Sequence, residues 1–390
     1  MTARQPYHDV VITTPVTVSY ERFSIRNAHW FLGGALKALI ETSGLAKSAL
    51  DGIFVSSFTL PPDTAIGLMQ YLGLSPRWLE TLPFGGACGV MAIRRAARAV
   101  ASGDIDVAAC LAGDTNHVYS FRLNVANFSQ FANDAVYPYG SGGPNASFAF
   151  LTDHYMQRYG ATREDFGKLC IAQRDNALRF PPALMKRRLS MTQYLGARLI
   201  AEPLRLFDCV MPCAGAEAFL VMKRDRAEDL GLPYVRILSS IERHNAFPED
   251  PIQMRGGWAL DRDDLFDMAE VTNDDIDFLQ TYDDYPVISL MQIEDLGFCA
   301  KGEGPDFIRS HRFDWDGSFP LNVSGGQLSV GQAGVAGGYL GLVEAIRQLT
   351  DQTLGNPLPK ADIALVSGFG MINYDRGLSS GAVILGRSSL

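Results

Sequence analysis

The pattern of apolar and polar positions predicts a duplicated helix-strand unit. Apolar side chains recur at helical spacing over residues 88–101, the helix ends at Gly103, and an apolar strand follows at 107–112. Residues 334–349 show the same helical pattern, and a strand follows at 362–368. Each unit begins with a glycine-rich turn. The repeat predicts an α/β protein with two strand-helix-strand halves packed as one layered body.

Further short apolar runs predict the remaining strands of a sheet that is buried on both faces, since they are uninterrupted and rich in β-branched residues. They lie at residues 10–12, 53–55, 219–222, 235–238, 278–281 and 382–385. We therefore expect an N-terminal half over residues 1–230 and a C-terminal half over 231–390. A long irregular stretch, about residues 115–202, is rich in glycine, proline and aromatic residues, and a connection of this length is usually functional.

Composition narrows the function classes. The net charge of −9 argues against a nucleic-acid-binding protein, which needs clustered cations across a face. No run approaches the roughly 20 apolar residues that span a bilayer, so we expect no membrane span and a cytoplasmic location. Six cysteines in apolar surroundings indicate free thiols. Cys209 and Cys213 have no second Cys or His pair nearby, so no metal site is predicted.

Three segments resemble the thiolase superfamily, in particular its lipid-transfer-protein-like branch of sterol-carrier thiolases and thiolase-like aldolases. They are residues 203–209 with 212–218, residues 282–285 with 294–304, and residues 321–329. The resemblance implies a five-layered α-β-α-β-α thiolase fold, a homodimer formed by edge strands, and a coenzyme A thioester bound by a loop region between the halves. It also implies a small OB-fold and zinc-ribbon partner protein.

A thiolase nucleophile is a cysteine thiolate at a helix N-terminus, where the helix dipole lowers its pKa. Cys88 lies at such a turn. Counted back from Gly103, however, Cys88 falls two residues after the family's nucleophile position, which Gly86 takes. Either the turn is shortened by two residues and Cys88 is the nucleophile, or Cys88 is a small apolar residue where a helix packs on a strand.

The other catalytic positions implied by the resemblance are also replaced. The segment that binds the thioester oxygen begins with Tyr282 here. The Gly-His-Pro segment reads Gly-Gln-Ala, and Gln332 can donate to an oxyanion but cannot take a proton. The second catalytic cysteine corresponds to Ser367 or Gly368, and neither is a thiol acid.

Three functions remain open. The favoured one is acyl transfer or thiolysis of a 3-oxoacyl-CoA through Cys88 with non-standard partner residues. The alternative is a retro-aldolase, similar to the steroid side-chain type, in which Tyr282 or Tyr285 takes the 3-hydroxyl proton of a branched 3-hydroxyacyl-CoA while Gln332 and backbone amides near Gly370 hold the enolate. The neighbouring Asp283 and Asp284 would raise the phenol pKa and count against this. The third is a non-catalytic acyl-CoA or lipid-binding subunit, in which Tyr282 is a hydrogen-bonded core phenol.

Two further sets of side chains are candidates. His117 follows a strand end, where sites form in α/β folds, and could serve as a stand-in base. Lys186, Arg187 and Arg188, with Arg179 nearby, could bind the phosphates of coenzyme A, because clustered cations bind phosphate well. A solvated helix face is the alternative explanation for this charge cluster.

Overall fold

The computed structural model describes residue 7 and residues 9–118, 138, 140, 143–373 and 376–390. The strands are β1 Val10–Glu21, β2 Gly52–Ser56, β3 Trp78–Thr81, β4 Val107–Asp114, β5 Leu199–Ala201, β6 Leu204–Arg205, β7 Ala214–Lys223, β8 Tyr234–His244, β9 Phe278–Gln280, β10 Ile363–Asn373 and β11 Arg376–Arg387. The helices are α1 Ala28–Ser43, α2 Ala65–Leu72, α3 Cys88–Ser102, α4 Pro144–Tyr159, α5 Arg163–Ala177, α6 Met191–Leu195, α7 Arg224–Asp229, α8 Trp258–Ala269, α9 Pro286–Asp295, α10 Gly304–Ser310, α11 Gly326–Val330 and α12 Gly337–Leu349.

Nine strands form one sheet in the order β3-β2-β4-β7-β1-β8-β11-β10-β9. The first five belong to the N-terminal half and the last four to the C-terminal half. The halves meet where β1 pairs with β8 in antiparallel fashion, through Val11 with Arg236, Ile12 with Val235 and Thr13 with Tyr234.

Helices α3 and α12 form the central layer, because both pack against strands of both halves of the sheet. The strands are buried on both faces. In β4, Ala108 and Cys110 face the central core with α3 and α12, while Ala109 and Leu111 face an outer core with α1 and α2. The C-terminal strands are covered on their outer face by the core that includes α8 and α9. The result is the predicted five-layered α-β-α-β-α body.

The two central helices begin in backbone contact. A Cβ atom at Gly89 would overlap the carbonyl oxygen of Gly338, and one at Gly338 would lie 2.7 Å from the carbonyl oxygen of Gly86. Side chains at these positions would force the helices apart. The glycine-rich turns therefore bring the two repeats together at one point, which is where the candidate site lies.

The duplication predicted from the sequence is confirmed. A short 3₁₀ turn, α3 and β4 in one half match a 3₁₀ turn, α12 and β10 in the other. The predicted helix over 334–349 is divided into a 3₁₀ turn, Gly334–Ala336, and α12. Every further predicted strand is present, and all but β9 run longer than predicted. The division at residue 230 lies between α7 and β8 and stays a prediction.

Two sequence expectations concern membrane-spanning helices and the state of the cysteines. Among the described residues, no helix is both long enough and apolar enough to cross a membrane. All six cysteines lie in described segments and are free thiols, as predicted. The predicted coenzyme A loop region, 115–202, includes residues outside the described part of the chain; its described part holds α4, α5, α6 and β5.

Candidate functional site

The aromatic ring of Tyr282 lies directly against the backbone of Gly86, just before α3. A Cβ atom at Gly86 would overlap this ring and the carbonyl oxygen of Phe369. Gly86 is the residue that takes the family's nucleophile position in the sequence comparison. The space into which a nucleophile side chain would project is therefore filled by the Tyr282 ring from the other half of the chain.

The phenol of Tyr282 belongs to a three-residue polar cluster. The side-chain Nε2 of Gln332 donates to the phenol oxygen at 3.1 Å and to Oδ1 of Asp284 at 2.7 Å. The phenol and the Asp284 carboxylate thus share one amide group, and each affects the pKa of the other. Tyr282 is 8% exposed and Asp284 is 6% exposed, so the cluster is almost shielded from water.

Burial raises the pKa of both titratable groups in this cluster, Asp284 and Tyr282. It raises the pKa of Asp284 to about 7, although the adjacent Tyr282 phenol lowers it somewhat. The pKa of Tyr282 lies well above its usual value because of burial and the adjacent Asp284 charge. The phenol therefore keeps its proton at neutral pH, and the carboxyl group is the member that titrates near pH 7.

Asp283 has a structural role beside the cluster. Its carboxylate accepts hydrogen bonds from the backbone amides of Gln327 at 2.9 Å and Leu328 at 3.2 Å. These amides belong to the first turn of α11, whose free N–H groups need acceptors. Burial raises the pKa of Asp283 to about 8, and these hydrogen bonds oppose the rise. Asp283 thus fixes α11, which leads directly into Gly331 and Gln332.

Cys88 is the first residue of α3, but its thiol is fully buried. The Sγ atom donates to the carbonyl oxygen of Val335 at 3.6 Å, within the central core. Burial raises its pKa far above the usual value for a thiol. The position at a helix start matches the sequence expectation, whereas the exposure and the pKa are those of a core cysteine.

Gly370 lies beside the same turn. A Cβ atom there would be 2.6 Å from the backbone nitrogen of Gly86 and 2.7 Å from the carbonyl oxygen of Phe84. Strand β10 therefore passes the 3₁₀ turn Gly85–Ala87 at backbone distance. The structure brings Gly370, Gly86, Tyr282 and Gln332 to one place, although they come from both halves.

Two other sequence candidates are placed differently. His117 is exposed, three residues after the end of β4, whereas the Tyr282 cluster is buried. Tyr285, a possible substitute for Tyr282, is 2% exposed. Its hydroxyl donates to Oδ1 of Asn145 at 2.6 Å, and its ring stacks on Phe148 with centroids 4.6 Å apart. Tyr285 thus supports the packing of α4.

The predicted coenzyme A cations lie on a loop held beside Gln332. The backbone amides of Leu184 and Met185 donate to the carbonyl oxygens of Val330 at 3.0 Å and Ser329 at 3.2 Å. The loop is therefore fastened to the C-terminal end of α11. Lys186, Arg187 and Arg188 follow, and all three are exposed.

These cations are not equivalent. The Nζ atom of Lys186 donates to the carbonyl oxygens of Phe180 at 2.7 Å and Pro181 at 3.1 Å, so it is used within the loop. Among the described residues, the guanidinium groups of Arg187 and Arg188 have no acceptor. Arg179 lies over the ring of Trp315, 5.2 Å from its centroid. Arg187 and Arg188 are therefore the cations of this set whose guanidinium groups are not used by the described part of the chain.

Within the part of the chain that the structure describes, no group of three or more His, Cys, Asp or Glu side chains could hold a metal ion. Cys213 is buried and Cys209 is partly buried. The sulfur of Cys213 lies close to Gly331, where a Cβ atom would be 2.9 Å away. These two cysteines therefore act as packing residues between the halves.

Comparison with known proteins agrees with this geometry. The Thiolase C-terminal domain-like family matches residues 260–387. Over 353 residues the chain is 30% identical to a steroid side-chain-cleaving aldolase of Thermomonospora curvata, covering 86% of this chain and 89% of that protein. The chain belongs to the thiolase superfamily. This confirms the resemblance and the fold predicted from the sequence.

Two more similar proteins support the same branch. Over 363 residues the chain is 30% identical to 17-hydroxy-3-oxo-4-pregnene-20-carboxyl-CoA lyase of Mycobacterium tuberculosis, covering 88% of this chain and 90% of that protein. A solved structure described as an Ltp2-ChsH2(DUF35) aldolase superposes with a TM-score of 0.82 at 27% identity, over 98% of both chains. These relatives are named aldolases or a lyase. They favour carbon–carbon cleavage, the alternative in the sequence analysis, over acyl transfer through Cys88.

Sequence reasoning assigned no catalytic task to Asp284. It treated the two acidic residues after Tyr282 only as a disadvantage for the phenol. The available signal was their position between an apolar strand and the helix start at Pro286, where a carboxyl group is expected to be buried. Both carboxyl groups are buried, but their surroundings differ. Asp283 binds a helix terminus, whereas Asp284 faces Tyr282 and Gln332.

Proposed function

We propose that this protein is a retro-aldol carbon–carbon lyase that cleaves a branched 3-hydroxyacyl-CoA. The observation that carries the proposal is the Tyr282 phenol, which fills the space in front of Gly86 and shares the Gln332 amide with the Asp284 carboxylate. A retro-aldolase needs a proton acceptor at the 3-hydroxyl group and no covalent nucleophile. The cluster provides an acceptor and excludes a nucleophile from the same space.

The reaction begins with the 3-hydroxyl proton. As the C2–C3 bond breaks, the hydroxyl proton passes to the Tyr282 oxygen while the phenol proton passes to Asp284. The C3 oxygen becomes the carbonyl of the released ketone or aldehyde, and the bonding electrons form the enolate of the shorter thioester. The proton returns through the phenol to C2, so the cleavage consumes no net proton.

Asp284 solves the difficulty of a phenol acting as a base. A phenol with a raised pKa holds too little phenolate at neutral pH to accept a proton by itself. A carboxyl group with a pKa of about 7 is half ionised there and can take the phenol proton at the moment of transfer. Gln332 uses its amide hydrogens to hold both groups, so we assign it the alignment of this pair. The enolate oxygen is assigned to backbone amides near Gly370.

The experiment is cleavage of a 3-hydroxyacyl-CoA with a tertiary alcohol at C3, followed by liquid chromatography and mass spectrometry of both products. We expect one carbonyl product and one shorter acyl-CoA in equal amounts. Tyr282→Phe should lower kcat by about 10²- to 10⁴-fold, the range of a general acid-base contribution. Cys88→Ala should retain cleavage, and Cys110→Ala, another fully buried thiol, is its matched control for packing loss.

Two outcomes would contradict the proposal. An acyl adduct in the intact protein mass that disappears in Cys88→Ala would restore the acyl-transfer mechanism. Unchanged activity in Tyr282→Phe would remove the phenol from the chemistry. If the wild-type protein binds the thioester without cleaving it, the chain is a binding subunit.

We assign the phosphates of coenzyme A to Arg187 and Arg188, with Arg179 and Lys186 at the sides of the same loop. The loop is bound to the carbonyl oxygens of Ser329 and Val330, immediately before the segment that carries Gln332. A thioester bound by its phosphates at this loop therefore has a short path to Tyr282. The two guanidinium groups without acceptors support this assignment.

We also propose two protein contacts. Strand β3 is the outermost strand of the N-terminal half, and Trp78 within it is 37% exposed, so pairing of two β3 edges would form a homodimer.

A small partner protein with an OB fold and zinc ribbon is proposed because the similar solved aldolase has a two-part name, Ltp2-ChsH2(DUF35). Light scattering of the purified protein, and copurification with zinc analysis, test these contacts; a monomer that is fully active without zinc would exclude both. The free thiols fit a reducing cytoplasm.

A further inference from the structure

The side chain of Gln292 forms hydrogen bonds with the backbone of Tyr282. This side chain on α9 is fully buried. Its Oε1 accepts from the backbone N–H of Tyr282 at 3.1 Å, and its Nε2 donates to the backbone carbonyl of the same residue at 2.7 Å. The amide therefore binds both main-chain groups of Tyr282, as a neighbouring strand would.

The chain needs this side chain because the sheet stops short of Tyr282. Strand β9 ends at Gln280, and its pairing with β10 ends at the pair of Gln280 and Val366. Beyond that pair, a buried N–H and a buried carbonyl would have no strand partner, and each buried polar group left without a hydrogen bond destabilises the folded state. Gln292 replaces the missing strand at the residue whose phenol occupies the site.

Ser367 fixes the orientation of the Gln292 amide. Its hydroxyl, on β10, donates to Oε1 of Gln292 at 2.6 Å. A flipped amide would place the Nε2 hydrogens against the backbone N–H of Tyr282, and the hydroxyl that donates to Oε1 opposes this flip. The sequence comparison put Ser367 or Gly368 at the position of the second catalytic thiol. In the structure, this hydroxyl points to Gln292.

We propose that Gln292, oriented by Ser367, is the positioning residue for the Tyr282 phenol. Tyr282 is held at both ends. Gln292 fixes its backbone, and Gln332 fixes its phenol oxygen while the ring rests on Gly86. A displacement of about 1 Å at a reacting group can cost about 10²-fold in rate. The kinetic part of this inference rests on the proposed lyase function, whereas the geometric part does not.

The test compares Gln292→Met with Gln253→Met. Gln253 is 3% exposed and binds the backbone N–H and carbonyl of Gly377, each at 2.8 Å, in the same manner. Both variants lose a pair of hydrogen bonds to the backbone of one residue. Gln292→Met also loses the bonds to the Ile288 carbonyl and the Ser367 hydroxyl, so it should lose more thermal stability. The comparison of kcat is therefore made at a temperature where both variants are folded. We expect only Gln292→Met to lower kcat, by about 10²-fold, with little change in KM. Equal kcat losses in the two variants would overturn the proposal.

Crystal structures of the same variants give a readout that does not depend on activity. We expect the 3.1 Å contact between the Tyr282 oxygen and Gln332 to persist in Gln253→Met and to be lost in Gln292→Met. A phenol that remains on Gln332 in Gln292→Met would overturn the positioning role. If the wild-type protein cleaves no 3-hydroxyacyl-CoA, the proposed function fails, and the crystallographic comparison still decides this inference.

Ser367→Ala and Ser367→Thr form a second pair, in case Gln292→Met does not fold. The alanine variant loses the hydroxyl that orients the amide, and the threonine variant keeps it. We expect Ser367→Ala to lower kcat and to displace the phenol, and Ser367→Thr to restore both. If the phenol keeps its position in Ser367→Ala as well as in Ser367→Thr, the role of Ser367 is contradicted. If Gln292→Met is also unfolded, this result contradicts the proposal as a whole.

Discussion

The carboxylate of Asp284 accepts a hydrogen bond from the side-chain amide of Gln332 at 2.7 Å. Among the described residues, no Lys, Arg or His forms an ion pair with Asp284. A neutral amide compensates burial of a charge less than a cation would, so the pKa of this carboxyl group stays at about 7. Without a cationic partner, the buried Asp284 carboxyl group changes its protonation state near neutral pH.

The first prediction is a pH dependence of cleavage. Only the ionised form of Asp284 can accept the phenol proton, so kcat/KM should rise tenfold per pH unit below about 7 and level off above it. Asp284→Asn should lose this dependence together with about 10²- to 10⁴-fold in rate. Initial rates between pH 5.5 and pH 9, in buffers of constant ionic strength, measure both. A rate that is constant from pH 6 to pH 8 would exclude Asp284 as the base.

The second prediction concerns the contact of Gly86 with Tyr282. Gly86→Ala places a methyl group where the ring and a backbone carbonyl already lie, so we expect a stability loss of about 1–3 kcal/mol and a large fall in kcat. Gly67→Ala is the control, since its Cβ would have no neighbour closer than 3.8 Å and should be neutral or stabilising. Urea denaturation and product formation measure the two effects. Full activity in Gly86→Ala would show that the ring can move aside without consequence.

The third prediction concerns the coenzyme A phosphates. The double variant Arg187→Ala/Arg188→Ala should raise KM for the thioester by about 10- to 100-fold with kcat unchanged, because each charged hydrogen bond contributes roughly 1.5–3 kcal/mol when formed and partial solvent exposure reduces it. Arg224→Ala/Arg226→Ala removes the same charge from exposed positions on α7 and should leave KM unchanged. Equal KM values in both double variants would mean that the loop cations are solvated surface residues that do not bind the phosphates.

The fourth prediction is a pH dependence of stability that originates far from the site. Burial raises the pKa of Glu217 to about 7, while the hydroxyls of Thr17 and Tyr20 donate to it. Because the folded state holds this proton more tightly, the contribution is complete below about pH 4.5 and is lost as the pH rises through 7. Glu217→Gln should therefore gain stability relative to the wild type between pH 5 and pH 8, by about 3 kcal/mol at most.

Urea denaturation of wild type and Glu217→Gln at several pH values tests this. The informative quantity is the difference between the two free energies of unfolding, since other titrating groups cancel in it. A difference that stays constant with pH would mean that Glu217 is ionised throughout this range, paired with the nearby Arg347.

The sequence predicts the repeat well because its signals are local. The helix that starts at Cys88 and the helix that starts at Gly337 each carry helical apolar spacing, a glycine-rich turn and a following strand within about thirty residues. Packing of α3 against α12 follows from the same glycines. Strands β1 and β8 are longer than predicted, because polar residues within them, such as Thr13 and Ser240, are buried where these strands pair with their neighbours in the sheet.

The site could be predicted only in part. Tyr282, Gln332 and Gly370 were found through the family motifs, but the contact of Tyr282 with Gly86 joins two halves, and no local pattern reports it. Burial decides the remaining roles. It makes Cys88 a core thiol and raises the pKa of Asp284 to about 7, and neither effect is visible from residue type alone.

The meeting of the two repeats at Gly89 and Gly338 has a consequence for the molecule when it is divided. Gly86 comes from the N-terminal half, and Tyr282, Asp284 and Gln332 come from the C-terminal half. Each half produced as a separate fragment would carry only part of the reaction chemistry. Under the proposed function, turnover in a mixture of the two fragments would report their reassembly directly, so the protein would serve as its own split-protein sensor.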